Sequence, residues 1–416
     1  MKYYYLNKNY LFQLTINLIL FYVLIKSLKV EKEKQIENKI IRFIKYKFNK
    51  YLSRKNFEKD LPQIIHYVKL LKEGFFKNEI YFPEIVKPKI SFISSVYNKE
   101  KYLTSFISSI QNQDLKDFEI ILVDDYSTDK SIQKINEFQS KDKRIKLIKN
   151  IKNQGAFNSR FKGAMLSKGE YIIFVDSDDI VLKEGIMKAY NHIKSNNLDM
   201  VEFNSIYDNV TEIYINRNYY KYRDIIYQPI LSHIYYYQKN KGDEQNTALW
   251  DKLIKKDVAL KSLKNIGENY LSKNIIIEND VIILFSLFRN ANSFQYIDEL
   301  GYYYFFQNNN SITKSRYEPQ KAKKIIYSIF TNIEFLFDFT NENNFDKRFC
   351  IFKLIQAYKR YEICLKFIDN EFNLIKNVLN KLLESQYISG NDKSIIKSIQ
   401  TNITNILKMN NKTILY

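Results

Sequence analysis

Three carboxylates follow directly on a short apolar run near the middle of the chain. Residues 171–175 are Tyr-Ile-Ile-Phe-Val, and Asp176, Asp178 and Asp179 come next. Aspartates this close raise each other's pKa unless a cation or hydrogen-bond donors offset their charge. A divalent metal is the simplest source of that charge, and oxygen ligands favour Mg²⁺ or Mn²⁺. The alternative is an acidic turn in which Asp179 caps the next helix.

A second apolar run also ends in acidic residues. Residues 118–124 are Phe-Glu-Ile-Ile-Leu-Val-Asp, and Asp125 follows. Because ligands of open α/β sheets bind outside the carboxyl ends of the strands, both acidic groups are expected at one sheet edge. One group suits a base or ribose, and the other a metal on a diphosphate. The chain has no GxGxxG or Walker sequence, which argues against dinucleotide oxidoreductases and P-loop NTPases.

Strand-like and helical stretches alternate around these residues. Apolar, β-branched runs of this kind are typical of strands buried on both faces of a parallel sheet. The alternation predicts an α/β fold with a mostly parallel, doubly wound sheet flanked by helices. Strands are expected at 90–96, 118–124, 144–150 and 171–175, and helices at 99–113, 127–140 and 156–167.

Composition narrows the functional classes. The chain has 416 residues and a formal charge of +19, but lysine is spread throughout and no Arg-rich arm or nucleic-acid motif is present. We therefore expect no nucleic-acid partner. The three histidines, His66, His192 and His233, are scattered, so neither a zinc site nor a Ser-His-Asp triad has its usual spacing. Any metal should be held by carboxylates.

The N-terminal part predicts a membrane attachment. Residues 10–25 are mostly apolar between basic flanks, and as a helix they would span about 24 Å against a hydrocarbon core of roughly 30 Å. An uncleaved anchor is the preferred interpretation, before a cleaved signal peptide or a core helix. The predicted organisation is an anchor or signal at 1–28, a helical stem and linker at 29–88, a main domain at 89–313 and a helical C-terminal region at 314–416.

Residues 89–313 also carry a series of motifs in order. They are Ile-Ser-Ser-Val-Tyr-Asn (93–98), Val-Asp-Asp-Tyr-Ser-Thr-Asp (123–129), Asn-Gln-Gly followed by Ser159, Arg160 and Gly163, the acidic strand at 168–179, Trp-Asp-Lys-Leu (250–253) and Ile-Glu-Asn-Asp (277–280). In this order and spacing the segment resembles the family 2 glycosyltransferases. The resemblance implies a GT-A-type, Rossmann-like fold and transfer of a sugar from a nucleoside diphosphate donor to a hydroxyl acceptor, with inversion.

The resemblance also implies roles for individual residues. Asp178 and Asp176 match the family's DxD element and are expected to hold Mn²⁺ or Mg²⁺, with Asp176 also near the ribose. Asp280 matches the catalytic base, although helix N-capping is an alternative role. Trp250 and Glu278 fall on the acceptor side, with a core position an open alternative for Trp250. The residues expected at the donor nucleotide are Val96, Tyr97, Asn98, Asp124, Asp125, Arg160 and Asp176.

Four positions depart from the family pattern: Ser95, Tyr126, Phe161 and Asp251. Tyr126 stands where glycine is common. If that turn requires a positive φ, a tyrosine there is strained and the base pocket is reshaped.

The sequence thus predicts a metal-dependent transferase that acts on a glycan or lipid-linked acceptor and is attached to a membrane through its N-terminal segment. The expected location is the secretory pathway in a eukaryote, or the cytoplasmic face of the membrane in a bacterium. A catalytically silent sugar-nucleotide-binding module of the same fold is the main alternative. A nucleotidyltransferase is a third, but the chain has no glycine-rich, basic loop after its first strand to hold a triphosphate.

Overall fold

The computed structural model describes residues 87–208, 213–216, 224–227, 248–267, 279–305, 318–339, 372–386 and 390–413, with short stretches or single positions between 270 and 277, between 350 and 365, and at 388. The predicted anchor, residues 29–86 of the predicted stem and linker, and Glu278 lie outside these residues and stay predictions. Within the described part, no helix has both the length and the apolar character needed to cross a membrane.

Strands and helices alternate through the first half of the described chain. The strands are β1 (Ile90–Val96), β2 (Phe118–Asp124), β3 (Ile145–Lys149), β4 (Tyr171–Phe174), β5 (Ile180–Val181), β6 (Met200–Asp208), β7 (Ile213–Asn216), β8 (Ile226–Tyr227), β9 (Lys252–Lys255) and β10 (Ser293–Phe305). The helices are α1 (Leu103–Gln111), α2 (Ser131–Lys141), α3 (Gly155–Leu166), α4 (Gly185–Ser195), α5 (Lys256–Ile266), α6 (Asn279–Asn290), α7 (Pro319–Phe339), α8 (Phe372–Glu384) and α9 (Gly390–Thr413). Every element predicted between residues 90 and 175 is present, with ends shifted by a few residues.

These strands form one sheet in the order β3-β2-β1-β4-β9-β6-β10-β5, with β7 beside β6 and β8 beside β10. Strands β3, β2, β1 and β4 are parallel, whereas β9 runs antiparallel to both β4 and β6. The α/β prediction is confirmed, but the sheet is mixed rather than mostly parallel. Strand direction beyond β4 depends on long connections, which the local apolar pattern does not encode.

The core lies on both faces of the sheet. Along β1, Phe92 and Ile93 are fully buried but belong to different apolar clusters, because successive side chains of a strand point to opposite faces. Helices α1 and α4 cover the Phe92 face, and α3, α5 and α6 cover the Ile93 face. Ile325 of α7 and Ile375 of α8 are buried in this second cluster, so helices predicted in the C-terminal region share a core with the sheet.

Helix α3 lies unusually close to the parallel strands. A Cβ added to Gly163 would lie 2.5 Å from Cγ2 of Ile93 and 3.3 Å from Cγ2 of Val123. A hydrogen at this position therefore lets the middle of α3 approach β1 and β2, which matters because α3 also carries Arg160.

We predict that Gly163→Ala lowers the free energy of unfolding by about 1–3 kcal/mol, since an extra methyl group must displace packed side chains or the helix. Urea unfolding of the full chain measures the change. Gly390→Ala is the matched control, because nothing lies within 4 Å of a Cβ at that position. Equal unfolding midpoints for Gly163→Ala and wild type would contradict the close-packing argument.

Candidate active site

The site forms at the carboxyl edge of β1, β2 and β4. These strands are parallel neighbours, and Val96 at the end of β1 pairs in register with Asp124 at the end of β2. The segments that follow the three strands therefore emerge side by side. The structure thus brings together the two acidic strand ends that the sequence analysis placed at one edge.

Side-chain hydrogen bonds join the loops that follow β1 and β2. The Asn98 side-chain oxygen accepts hydrogen bonds from the backbone N–H of Thr128 (2.8 Å) and its hydroxyl (3.3 Å). The Asn98 N–H donates to Ser127 Oγ (3.0 Å). Asn98 thereby fixes one loop against the other, and its own side-chain oxygen is already engaged.

Asp124 is a buried carboxylate with one unsatisfied oxygen. Its side chain is 1% exposed. Oδ2 accepts a hydrogen bond from the Ser127 N–H (3.1 Å), whereas Oδ1 is buried with no partner in the described part of the chain. Buried acceptors are nearly always satisfied, because an unpaired one loses the free energy of its hydration. Asp124 Oδ1 therefore suits an N–H or O–H donor of a ligand.

Asp125 has a different role. Its carboxylate accepts hydrogen bonds from the backbone N–H groups of Gln154 and Gly155, both at 2.8 Å, and from the side chain of Asn150 at 2.9 Å. These contacts satisfy N–H groups at the start of α3 and hold that helix against β2. They support a structural role, and nucleotide binding by Asp125 stays a prediction.

The acidic segment after β4 is tethered through three of its residues. Ser177 Oγ donates to the carbonyl of Ser95 (2.9 Å), and the Tyr302 hydroxyl donates to Asp179 Oδ2 (2.9 Å). The same hydroxyl accepts a hydrogen bond from the Asp176 N–H (2.9 Å). Asp179 therefore does not cap α4, which begins only at Gly185. Asp176 and Asp178 remain at the edge, with 32% and 19% of their side chains exposed.

Arg160 connects the donor-side edge to helix α6. Its buried guanidinium donates from Nη2 to Asp176 Oδ1 (2.7 Å) and from Nη1 to Asp280 Oδ1 (2.7 Å) and Asn279 Oδ1 (2.9 Å). The sequence analysis expected Arg160 to face the nucleotide. The structure places it between Asp176 and the predicted base, Asp280, and so holds these two carboxylates in a fixed relation.

Asp280 lies within the first turn of α6, which begins at Asn279, rather than before it. This position argues against the N-cap alternative. Its side chain keeps 28% of its surface exposed, so one carboxylate group can face both Arg160 and solvent. Partial burial raises the pKa of Asp280, Arg160 opposes that shift, and the nearby charge of Asp176 adds to it. A carboxylate with a raised pKa is a stronger base than an ordinary aspartate.

Lys99 is a functional candidate that the sequence analysis missed. Its ammonium lies 2.6 Å from Asp178 Oδ2. The only available signal was its place directly after Asn98 in the β1 loop, and the pattern of a loop does not say which carboxylate a lysine meets. Within the described ranges, no group of three or more His, Cys, Asp or Glu side chains forms a metal cluster.

Trp250 lies in the core. It is 5% exposed and stacks on Tyr302 with ring centroids 4.5 Å apart and on Tyr304 at 5.5 Å. The structure thus places Trp250 in the core, and a place on the acceptor side stays a prediction. The next residue, Asp251, is buried against Lys252 Nζ at 2.7 Å. Trp250 acts on the site indirectly, by packing against the tyrosine that tethers Asp176 and Asp179.

Comparison with known proteins supports the predicted family. Residues 91–277 match the model for glycosyl transferase family 2. A cholesterol galactosyltransferase of Borreliella burgdorferi is 29% identical over 308 residues, covering 72% of this chain and 80% of its own. An uncharacterized glycosyltransferase of Haemophilus influenzae is 44% identical over 117 residues, covering 28% of this chain and 47% of its own. The chain thus spans about half the length of this second relative.

Solved structures show the same fold. The crystal structure of S. aureus TarS 1–349 in complex with UDP-GlcNAc has a TM-score of 0.55 at 17% identity and covers 78% of this chain and 91% of that one. The complex of the same protein with UDP has a TM-score of 0.52, with 78% and 90% coverage. Identity this low supports the fold alone. Taken with the sequence matches, these findings confirm the family and the enzyme class predicted for this segment.

We predict that Tyr302→Phe lowers the free energy of unfolding by about 1–3 kcal/mol, because Asp179 loses a hydrogen-bond donor inside the protein while the ring stack on Trp250 is kept. Urea unfolding of the full chain is the measurement. Trp250→Phe provides a comparison in which the hydroxyl tether stays and the ring stack on Tyr302 changes. A Tyr302→Phe variant as stable as wild type would show that the tether contributes little.

Proposed function

We propose that this chain, which carries a family 2 glycosyltransferase domain, transfers a sugar from a nucleoside diphosphate sugar to a hydroxyl group of a glycan or lipid, with inversion at the anomeric carbon. The observation that carries this proposal is the Arg160 bridge. It holds Asp176 at the nucleotide edge and Asp280 at the start of α6 on one guanidinium, with contacts of 2.7 Å to each. A donor-side group and a base are thereby held within one site.

The sheet edge has the groups that a nucleotide needs. Asp124 Oδ1 is a buried acceptor without a partner among the described residues, and it suits an N–H of a nucleobase. Tyr97, 48% exposed beside it, offers a ring on which the base can stack. The solved structures of TarS with UDP and UDP-GlcNAc support a uridine donor as the first to test.

The residues present fit a divalent cation that binds together with the diphosphate. Asp178 and Asp176 provide hard oxygen ligands, and Mg²⁺ in such sites is commonly held by one or two carboxylates plus phosphate oxygens and water. Asp176 and Asp178, the two carboxylates available at this edge in the described part of the chain, match that pattern. When bound, Mn²⁺ or Mg²⁺ would offset negative charge on the leaving diphosphate. Lys99 must then share or release Asp178.

Asp280 is the proposed general base. The acceptor hydroxyl oxygen attacks the anomeric carbon as the bond from that carbon to the diphosphate oxygen breaks. The hydroxyl proton passes to the Asp280 carboxylate, and the nucleoside diphosphate leaves with the electron pair. A single displacement inverts the anomeric centre. Arg160 keeps the carboxylate oriented through Oδ1 and, by lowering its pKa, limits the rise caused by burial.

The acceptor is proposed to be a hydroxyl of a lipid or a lipid-linked glycan. The match to the Borreliella burgdorferi cholesterol galactosyltransferase covers 72% of this chain and therefore extends beyond residues 91–277, into regions outside the donor edge. A lipid acceptor agrees with the proposal that residues 1–28 attach the enzyme to a membrane, in the secretory pathway of a eukaryote or at the cytoplasmic face in a bacterium.

We predict that Asp280→Asn lowers kcat for sugar transfer by about 10²–10⁴-fold, because the amide cannot take the acceptor's proton. Binding of UDP should change little. The measurements are UDP release from UDP-sugars with an acceptor panel, and calorimetric titration with UDP. The matched control is Asp257→Asn, which changes an exposed aspartate in the first turn of α5.

The pH profile gives a second readout of the same group. Because the pKa of Asp280 is raised, the base form is lost as pH falls through a value above that of an ordinary aspartate, and kcat/KM should fall there. Undiminished transfer by Asp280→Asn would remove Asp280 as the base. Donor binding by wild type without transfer to any acceptor would instead support a catalytically silent module.

We predict that Lys99→Met lowers the Mn²⁺ concentration needed for half-maximal UDP binding about two- to fivefold. The metal no longer has to displace an ammonium from Asp178, and a partly exposed ion pair contributes up to ~1 kcal/mol. Mn²⁺ titrations at fixed UDP measure it. Lys101→Met, at an exposed lysine of the same loop, is the control. A higher Mn²⁺ requirement for Lys99→Met would indicate that Lys99 assists the metal rather than competing with it.

A further inference from the structure

Tyr126 has an unusual backbone conformation. Its φ of 69° lies in the left-handed region, which glycine adopts without steric cost and a tyrosine does not. The sequence analysis predicted strain at this position if the turn needs a positive φ, and the structure confirms that φ. The family commonly has glycine there, so this chain has a strained residue where the pattern of its relatives offers an unstrained one.

Burial of the ring does not offset this strain. The Tyr126 side chain is 56% exposed, so its ring gains little from packing within the protein. Strained, exposed aromatic residues that persist at a ligand-binding edge are candidates for ligand contact.

The neighbours of Tyr126 are the proposed base-binding groups. It follows Asp124 by two positions, and Asp125 N–H donates to the carbonyl of Val96 (2.7 Å), immediately before Tyr97. The Asn98 hydrogen bonds to Ser127 and Thr128 then fix the Tyr97 loop against the Tyr126 loop. Two half-exposed tyrosine rings thus emerge from adjacent, mutually fixed loops.

The unpartnered oxygen belongs to the strand end that leads into the Tyr126 turn. Asp124 Oδ1 is buried at the end of β2, two residues before Tyr126, and has no partner in the described part of the chain. A planar ligand that donates an N–H to this oxygen has its edge at Asp124 and its two faces open to neighbouring groups. Nucleobases have this shape and this donor, and each stacks well on aromatic side chains.

We propose that Tyr126 supplies a second aromatic surface for the nucleobase of the donor, in addition to Tyr97, with Asp124 accepting a hydrogen bond from the base edge. This inference rests on the proposed function and assigns to Tyr126 a binding role in this chain. The strain of the left-handed tyrosine is offset when the base is bound, because stacking then covers the exposed ring.

The test compares four proteins by calorimetric titration in Mn²⁺: wild type, Tyr126→Gly, Tyr126→Asn and Tyr126→Phe. The probe is whichever of UDP, GDP, CDP and dTDP binds wild type most tightly. Glycine and asparagine both tolerate a positive φ but lack the ring. We expect Kd to rise about 5- to 100-fold for the glycine and asparagine variants, which is the range for loss of one base–aromatic stack. For Tyr126→Phe, which keeps the ring, we expect Kd to change less than twofold.

Two controls separate stacking from other effects. Thermal unfolding of Tyr126→Gly should occur at the wild-type temperature or higher, because the strain is removed, so weaker binding would not reflect unfolding. Inorganic diphosphate with Mn²⁺ has no base, and its affinity should be equal in wild type and Tyr126→Gly.

The outcomes are distinguishable. Unchanged nucleotide affinity in Tyr126→Gly overturns the inference, and a changed KM for the acceptor alone would assign the ring to the acceptor instead. Equal weakening of nucleoside diphosphate and inorganic diphosphate also overturns it, because the effect would then act through the loop. If wild type binds none of the nucleoside diphosphates, both this inference and the proposed function fail, whereas the other results leave the proposed function intact.

Discussion

The buried guanidinium of Arg160 is the constraint on which the rest of the site depends. A charge removed from water is tolerated only with well-placed partners, and Arg160 has three: Asp176, Asp280 and Asn279. Each partner comes from a different place in the chain than α3, which carries the arginine. Helix α3 must therefore lie close to the sheet. The absent side chain of Gly163 permits this approach, and the backbone N–H groups of Gln154 and Gly155, which donate to the Asp125 carboxylate, fix the N-terminus of α3.

Two halves of the sheet contribute different parts of the site. The parallel strands β1, β2 and β4 present the loops that we propose face the nucleotide, since their carboxyl ends share one edge. Strand β10, from the mixed half, brings the Tyr302 hydroxyl to the Asp176 N–H and to Asp179, and the stack of Trp250 on that ring restrains its direction. The mixed half of the sheet therefore contributes directly to the geometry of the site. It places a tether from a distant strand against the acidic segment.

Local sequence patterns predicted the secondary-structure elements and most of the residues of the site. They did not predict which of these residues contact one another. The strands from β1 to β4 followed from short apolar runs, and the strand-end aspartates followed from where those runs stop. The Arg160–Asp280 contact joins residues 120 positions apart, which no local period encodes. Tyr302 is one of 34 tyrosines, so its type alone could not mark it. Lys99 was overlooked because the sequence does not distinguish a loop lysine that pairs with a carboxylate of the site from a loop lysine exposed to solvent.

The charges at the edge explain when a cation would be needed. Asp176, Asp178 and Asp280 face Arg160 and Lys99, so three carboxylates are offset by two protein cations in the absence of ligand. A divalent ion arriving alone would therefore find little uncompensated charge and would have to displace an ammonium. A bound diphosphate would add negative charge at the same edge, and its oxygens would add to the two proposed aspartate ligands. We infer that cation and donor enter this site together, with Lys99 holding Asp178 in place until they do.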